Sequence, residues 1–245
     1  MKRFPGDEEE SLDTLFGGRI KILQKKAGYR FSIDALLLAH FAHIRPGEKV
    51  IDLGTGCGVI PLILIFRRKA EKVMAVEIQP SLADLARRNV RLNRMASRVR
   101  IWERDFRQLK GPAWMAGFDV VLANPPYRPI GAGRINPHAE KAQARHEIHS
   151  TLEDLLQVSF RLLKEKGRLY MIYPASRTAD LFQGLRRSHL EPKAVQFIHS
   201  RPGTEARLLL LEAYKGGRSE THILPPFVLY DENGRYTEEA KALFL

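Results

Sequence analysis

The sequence predicts an α/β protein built on a mostly parallel, doubly wound sheet, and three observations carry that reading. From Lys49 onward, apolar runs of strand length alternate with amphipathic stretches of helix length, which calls for crossover connections and parallel strands. The first run ends in a glycine-rich turn directly before a helical segment, the usual ligand seat in such a sheet. The 245 residues, 44% of them hydrophobic, can bury a sizeable core in one decorated domain. A single cysteine, Cys57, excludes an internal disulfide framework and any multi-thiolate metal site.

The segment Met1–Glu10 carries basic residues but no apolar stretch, so it is not read as a secretory signal. The longest apolar run, Val59 to Phe66, is too short to span a membrane; a cytoplasmic protein without membrane contact is expected. Partial alternation from Gly18 to Phe31, around the Lys25–Gly28 turn, suggests a small hairpin. Ser32 then N-caps a helix running to Ala42, which Arg45-Pro46-Gly47 breaks. Strands are expected at Val50–Leu53, Lys72–Val76, Val99–Trp102, Phe118–Ala123, Gly167–Tyr173, Ala194–His199 and Ala206–Tyr214. Helices are expected at Val59–Lys69, Pro80–Asn93, Leu152–Leu163 and Thr178–Ser188. The tail from Thr221 through Tyr230 reads as one extended strand, followed by a turn at Asp231–Gly234. The expected division is a hairpin and helix over 1–45, a core over 46–216 and an extension over 217–245.

Charge narrows the class of partner. Forty basic against 28 acidic residues leave a net charge of +12, which favours a polyanion such as nucleic acid, although a positive surface also serves solubility. Between Arg67 and Lys110 there are 13 basic residues and five acids. Arg87, Arg88, Arg91 and Arg94 fit the solvated face of a helix equally well.

The first chemically loaded segment is Asp52-Leu53-Gly54-Thr55-Gly56-Cys57-Gly58. Glycines there let the backbone approach a ligand without a Cβ in the way. Val59 occupies the place where a dinucleotide fingerprint needs its third glycine, and no Gly-Lys-Ser/Thr of a phosphate loop follows. Nineteen residues beyond Gly58, Glu77 ends the second strand, where a carboxylate can accept both ribose hydroxyls of an adenosine-containing cofactor. Asp105 follows the third strand and can accept from an adenine amino group, with Phe106 beside the ring. Cys57 reads as a small filler of the turn.

These residues resemble the class I methyltransferases that use S-adenosylmethionine (SAM). The resemblance implies a Rossmann-like, seven-stranded sheet whose last strand is antiparallel, in agreement with the seven strands counted from Val50 to Tyr214. It implies SAM contacts at Asp52, Gly54, Thr55, Gly56, Gly58, Glu77, Asp105, Phe106 and Asn124.

The fourth strand runs into Asn124-Pro125-Pro126-Tyr127. Two prolines cannot continue a central strand, so the chain turns out at the carboxyl edge. An exocyclic amine or planar amide is a poor nucleophile because its lone pair is delocalised. The Asn124 oxygen and the Pro125 carbonyl can each accept one N–H and localise that pair, and Tyr127 offers a stacking face. Asn-Pro-Pro-Tyr resembles the motif of methyltransferases acting on adenine N6, some guanine N2 and glutamine amides, which assigns catalysis to Asn124, Pro125, Pro126 and Tyr127. The motif alone does not choose among those substrates. Release-factor glutamine methyltransferases carry a helical domain before the cofactor turn, whereas about fifty residues precede it here. Gly28–Asp34, Ala144–Glu147 and Tyr230–Thr237 resemble bacterial tRNA (adenine-N6)-methyltransferases, which implies a tRNA partner. Arg128, Arg134, Lys141 and Arg145 are candidate phosphate contacts in the segment 128–150, a long loop by its sequence. His138, His146 and His149 lack acids or thiolates at ligand spacing, so no metal is expected.

Overall fold

A computed structural model describes the protein over residues 9–27, 30–112, 114–125 and 151–245. Two strands, β1 (Glu10–Leu15) and β2 (Ile20–Lys25), form an antiparallel hairpin. The helix α1 (Ile33–Phe41) follows, with the Ser32 side chain accepting from Asp34 N at its start. The alternating core then runs β3 (Val50–Leu53), α2 (Val59–Phe66), β4 (Val73–Glu77), α3 (Pro80–Leu92), β5 (Val99–Glu103) and β6 (Phe118–Ala123). It continues as α4 (Leu152–Leu162), β7 (Leu163–Pro174), α5 (Thr178–Arg187), β8 (Leu190–His199) and β9 (Ala206–Lys215). Two short strands, β10 (His222–Ile223) and β11 (Phe227–Val228), and the single turn α6 (Glu238–Lys241) close the chain.

Among the described residues one sheet has the order β10-β8-β9-β7-β6-β3-β4-β5, with β11 also on β8. The seven strands β3 to β9 all lie in it, and β9 alone runs antiparallel to its neighbours. Both faces are covered. Alternate residues such as Val50, Leu122 and Ile172 pack under the hairpin, α1, α2, α3 and the tail. Their neighbours Ile51, Leu53, Val121 and Met171 pack against α4 and α5. Two-sided burial explains why β3 is buried at all four positions, apolar except for Asp52. The α4 N-terminus is set by a capping box, in which Asp154 N donates to Thr151 Oγ1 and Thr151 N donates to Asp154 Oδ2.

The hairpin differs from the expected one. β2 pairs with the preceding Glu10–Leu15, not with the residues after Lys25. Phe16, Gly17 and Gly18 all adopt positive φ, which reverses the chain there. The first residue of β1 is neutralised: Arg88 on α3 donates to both Glu10 carboxylate oxygens at 2.7 Å. The tail also differs: β10 and β11 are separate two-residue strands parallel to β8. Pro225 and Pro226, which carry no N–H for a ladder, lie between them. No helix among the described residues is long and apolar enough to cross a membrane.

Candidate functional site

Strand register assembles the site. Leu53 at the end of β3 lies opposite Ala123 on β6 and Val76 on β4. One residue further, Asn124, Gly54 and Glu77 therefore stand level at the carboxyl ends of three adjacent strands. Glu77 in turn faces Glu103 on β5, which brings Asp105 to the same edge. At about 4.8 Å between strands, the row from Asn124 to Glu77 spans about 10 Å. The chain leaves β3 towards β4 on one side while β6 flanks it on the other, so the row lies at the topological switch point where open α/β sheets bind ligands.

The glycine turn is pinned from β4. Gly54 N and Thr55 N both donate to Val76 O, at 2.9 and 3.0 Å, and Gly56 N donates to Glu77 Oε2 at 2.8 Å. The other Glu77 oxygen accepts Gln79 N at 2.9 Å. Glu77 is thus a brace for the turn as well as the edge carboxylate, and burial raises its pKa against those two backbone donors. Gly58 has φ 83°, and a Cβ on it would stand 3.2 Å from the Ala86 Cβ. Glycine there answers both the left-handed backbone and the close approach of α3.

Asp52 is fully buried at the end of β3. Neither of its carboxylate oxygens, nor Thr55 Oγ1, has a hydrogen-bond partner among the described residues. Burial pushes this carboxyl up to about 7; the neighbouring Thr55 hydroxyl acts against that rise, although it stands outside hydrogen-bond geometry, and the Glu77 carboxylate adds to it. Buried polar groups left unsatisfied are costly, and donors from a ligand would relieve that cost at these three atoms. Cys57, also buried, has its thiol pushed up to about 12 by burial and is unreactive near neutrality.

The remaining sequence candidates divide. Asp105 caps the short turn Phe106–Gln108 and is gripped by Arg107, whose guanidinium donates to both carboxylate oxygens at 2.6–3.1 Å. Phe106 is partly buried against the α4–α5 side of the sheet. Pro125 follows Asn124 at the edge, both of them partly buried. Pro126, Tyr127, Arg128, Arg134, Lys141 and Arg145, with the three histidines, lie outside the described residues. On α3, Arg87 pairs with Glu103 and Arg88 with Glu10. Arg91 and Arg94 sit where α3 returns to the start of β5, at the opposite end from Asn124. The residue that sequence reasoning missed is Asn89, fully buried behind the glycine turn; a polar residue in the apolar stripe of α3 was its only signal.

Residues 32–188 match the family model of the methyltransferase small domain. The chain belongs to this family. It is a methyltransferase, and its cofactor is SAM. It is 26% identical over 220 residues to a Bacteroides thetaiotaomicron protein named tRNA1(Val) (adenine(37)-N6)-methyltransferase, covering 89% of this chain and 90% of the relative. A Pasteurella multocida protein of the same name is 28% identical over 214 residues, covering 86% of each. Among solved structures, one described as a predicted O-methyltransferase from Agrobacterium tumefaciens superposes with a TM-score of 0.69 at 25% identity, covering 86% of this chain and 94% of that one. The edge fits the cofactor. Unpartnered acceptors at Asp52 suit a positively charged ligand, and a Cβ at Gly54 would meet nothing within 4 Å, which leaves open space beside the turn.

Proposed function

We propose that the enzyme methylates the exocyclic N6 of an adenine in tRNA. The observation that carries this reading is the strand register, which sets Asn124, at the head of Asn-Pro-Pro-Tyr, level with Gly54 of the cofactor turn. The curated relatives, named for adenine methylation in a valine tRNA, and the net charge of +12 support RNA over a glutamine amide. A tRNA substrate would have the enzyme work in the cytoplasm.

In this reading Asp52, Gly54, Thr55, Gly56 and Gly58 hold one end of SAM, and Glu77 accepts from its ribose. Asp105 and Phe106 receive its adenine. When bound, SAM supplies an electrophilic methyl group on a sulfonium. Asn124 Oδ1 and the Pro125 carbonyl each accept one N–H of the target amine, which localises the nitrogen lone pair toward that methyl. Methyl transfer would leave the nitrogen positively charged; the same two oxygens would hold its N–H bonds while the proton passes to water. Pro126 stiffens the turn and Tyr127 stacks on the base. Positioning supplies most of the rate, without an obligatory strong base. Incubation with labelled SAM and, separately, tRNA, rRNA and cell protein should put label in the tRNA; label confined to protein would overturn the proposal.

Two consequences can be measured. A cationic ligand at this edge favours ionised Asp52, whose carboxyl is raised to about 7 without one. SAM binding should then release a proton near or below that pH and tighten as pH rises through it. Calorimetry in two buffers of different ionisation enthalpy reads the proton, and Asp52→Asn should abolish it; equal heats with the unaltered protein would detach Asp52 from the cofactor. Arg134 and Lys141 are proposed, with Arg128 and Arg145, to bind RNA phosphates. Replacing both should reduce the slope of log affinity against log salt by about 2. An unchanged slope would place the electrostatic contact elsewhere.

A further inference from the structure

We infer that Asn89 is a positioning residue that sets the cofactor turn by tying it to the N-terminal hairpin. The inference rests on reading Gly54–Gly58 as the seat of SAM. Asn89 lies on α3 and is fully buried. Its Nδ2 donates to two carbonyls, Cys57 O in the glycine turn and Leu23 O on β2, each at 3.0 Å. Its Oδ1 accepts Leu23 N at 2.7 Å. One primary amide therefore uses both of its N–H groups and its oxygen, and the turn and the hairpin are held through the same planar group.

The hairpin itself is docked by a second, more exposed amide, which also donates to Asn89 O at 2.8 Å. Asn93, one helical turn on, accepts Lys21 N at 2.9 Å and donates to Lys21 O at 2.6 Å. The two side chains meet the outward-facing backbone groups of β2 as a neighbouring strand would, which covers an otherwise open edge. Only Asn89 reaches the turn. The Cys57 carbonyl is the group between the two glycines whose amide and packing define the turn: Gly56, bonded to Glu77, and Gly58, packed on Ala86 of α3. Glu77 thus fixes the turn from the sheet side and Asn89 from the helix side. Removing the amide would leave the Cys57 carbonyl buried without its donor and free the turn to shift relative to Glu77.

The pair of asparagines separates this role from general support of the fold. SAM affinity by calorimetry, and hydrogen exchange of the peptide spanning residues 53–59, are compared in the unaltered protein, Asn89→Ala, Asn89→Asp and Asn93→Ala. Asn89→Asp keeps an acceptor for Leu23 N but loses the donors to Cys57 O and Leu23 O, so it serves if the alanine variant does not fold. Both Asn89 variants should weaken SAM about tenfold and speed exchange at the turn. Their turnover at saturating SAM and RNA should stay within about threefold, since the edge beyond Gly54 is untouched. Asn93→Ala loosens the hairpin but should leave SAM affinity within about twofold. Unaltered affinity in the Asn89 variants, or an equal loss in Asn93→Ala, would overturn the inference. If SAM fails to slow exchange at residues 53–59 in the unaltered protein, the turn is not the cofactor seat, and the reading beneath the inference falls with it.

Discussion

Asn124→Ala should lower the single-turnover methylation rate by about 10²–10³-fold, the usual cost of losing a preorganised polar contact at a reacting group. SAM affinity should change little. Asn124 stands level with Gly54 across the β3–β6 pair, whereas the cofactor-side groups lie on β3, β4 and the start of the segment after β5. An effect on rate without an effect on cofactor binding is therefore the signature of an acceptor facing the substrate amine. Asn124→Asp retains an oxygen that can accept the N–H and should keep more activity than alanine, unless its negative charge disturbs RNA docking. Rates at saturating SAM and RNA separate these outcomes. Wild-type rates in the alanine variant would remove Asn124 from the mechanism.

Glu77→Ala should weaken SAM by about 1.5–3 kcal/mol, because a buried charged acceptor is lost. The structure shows one role for this residue, the brace of the turn, beside the proposed one at the ribose. One carboxylate oxygen accepts Gly56 N and the other accepts Gln79 N, so alanine removes the brace of the turn together with the proposed ribose acceptor. Glu77→Gln keeps an acceptor for one of these amides and should lose less. Gly56→Val should be at least as severe as Glu77→Ala, since Gly56 has φ 58°, which a β-branched residue adopts only with strain. Calorimetric titration of the three variants orders them, and unchanged affinity in Glu77→Ala and Gly56→Val would move the cofactor elsewhere.

The core of this fold is legible in the sequence because two-sided burial writes itself as apolar runs. Val50–Leu53 and Phe118–Ala123 have the same limits in the sequence reading and in the structure. Features that depend on a distant partner were not legible. Glu10–Leu15 carries acids that suggest a solvated lead-in, yet it pairs along its length with β2, and Arg88, 78 residues away, neutralises Glu10. The continuation of β7 back to Leu163 was hidden by Lys164-Glu165-Lys166, where the pairing with β6 shifts register. At the site, glycine spacing and acids at strand ends point to Asp52, Glu77 and Asp105, but spacing says nothing about orientation. It could not show that Asp52 is buried without a partner or that Arg107 grips Asp105. Nor could it reveal what the amide of Asn89 bonds: its place in the apolar stripe of α3 marks it as buried, but not that it reaches Cys57 O and Leu23.

The central claim is that the carboxyl edge around Gly54 and Asn124 methylates adenine N6 in tRNA. Its most direct test is a single-turnover incubation of the purified protein with SAM and unmodified tRNA, followed by digestion and nucleoside mass spectrometry. N6-methyladenosine is the expected product, formed by the unaltered protein and strongly reduced by Asn124→Ala. N2-methylguanosine in its place, or N6-methyladenosine formed at equal rates by both proteins, would contradict it.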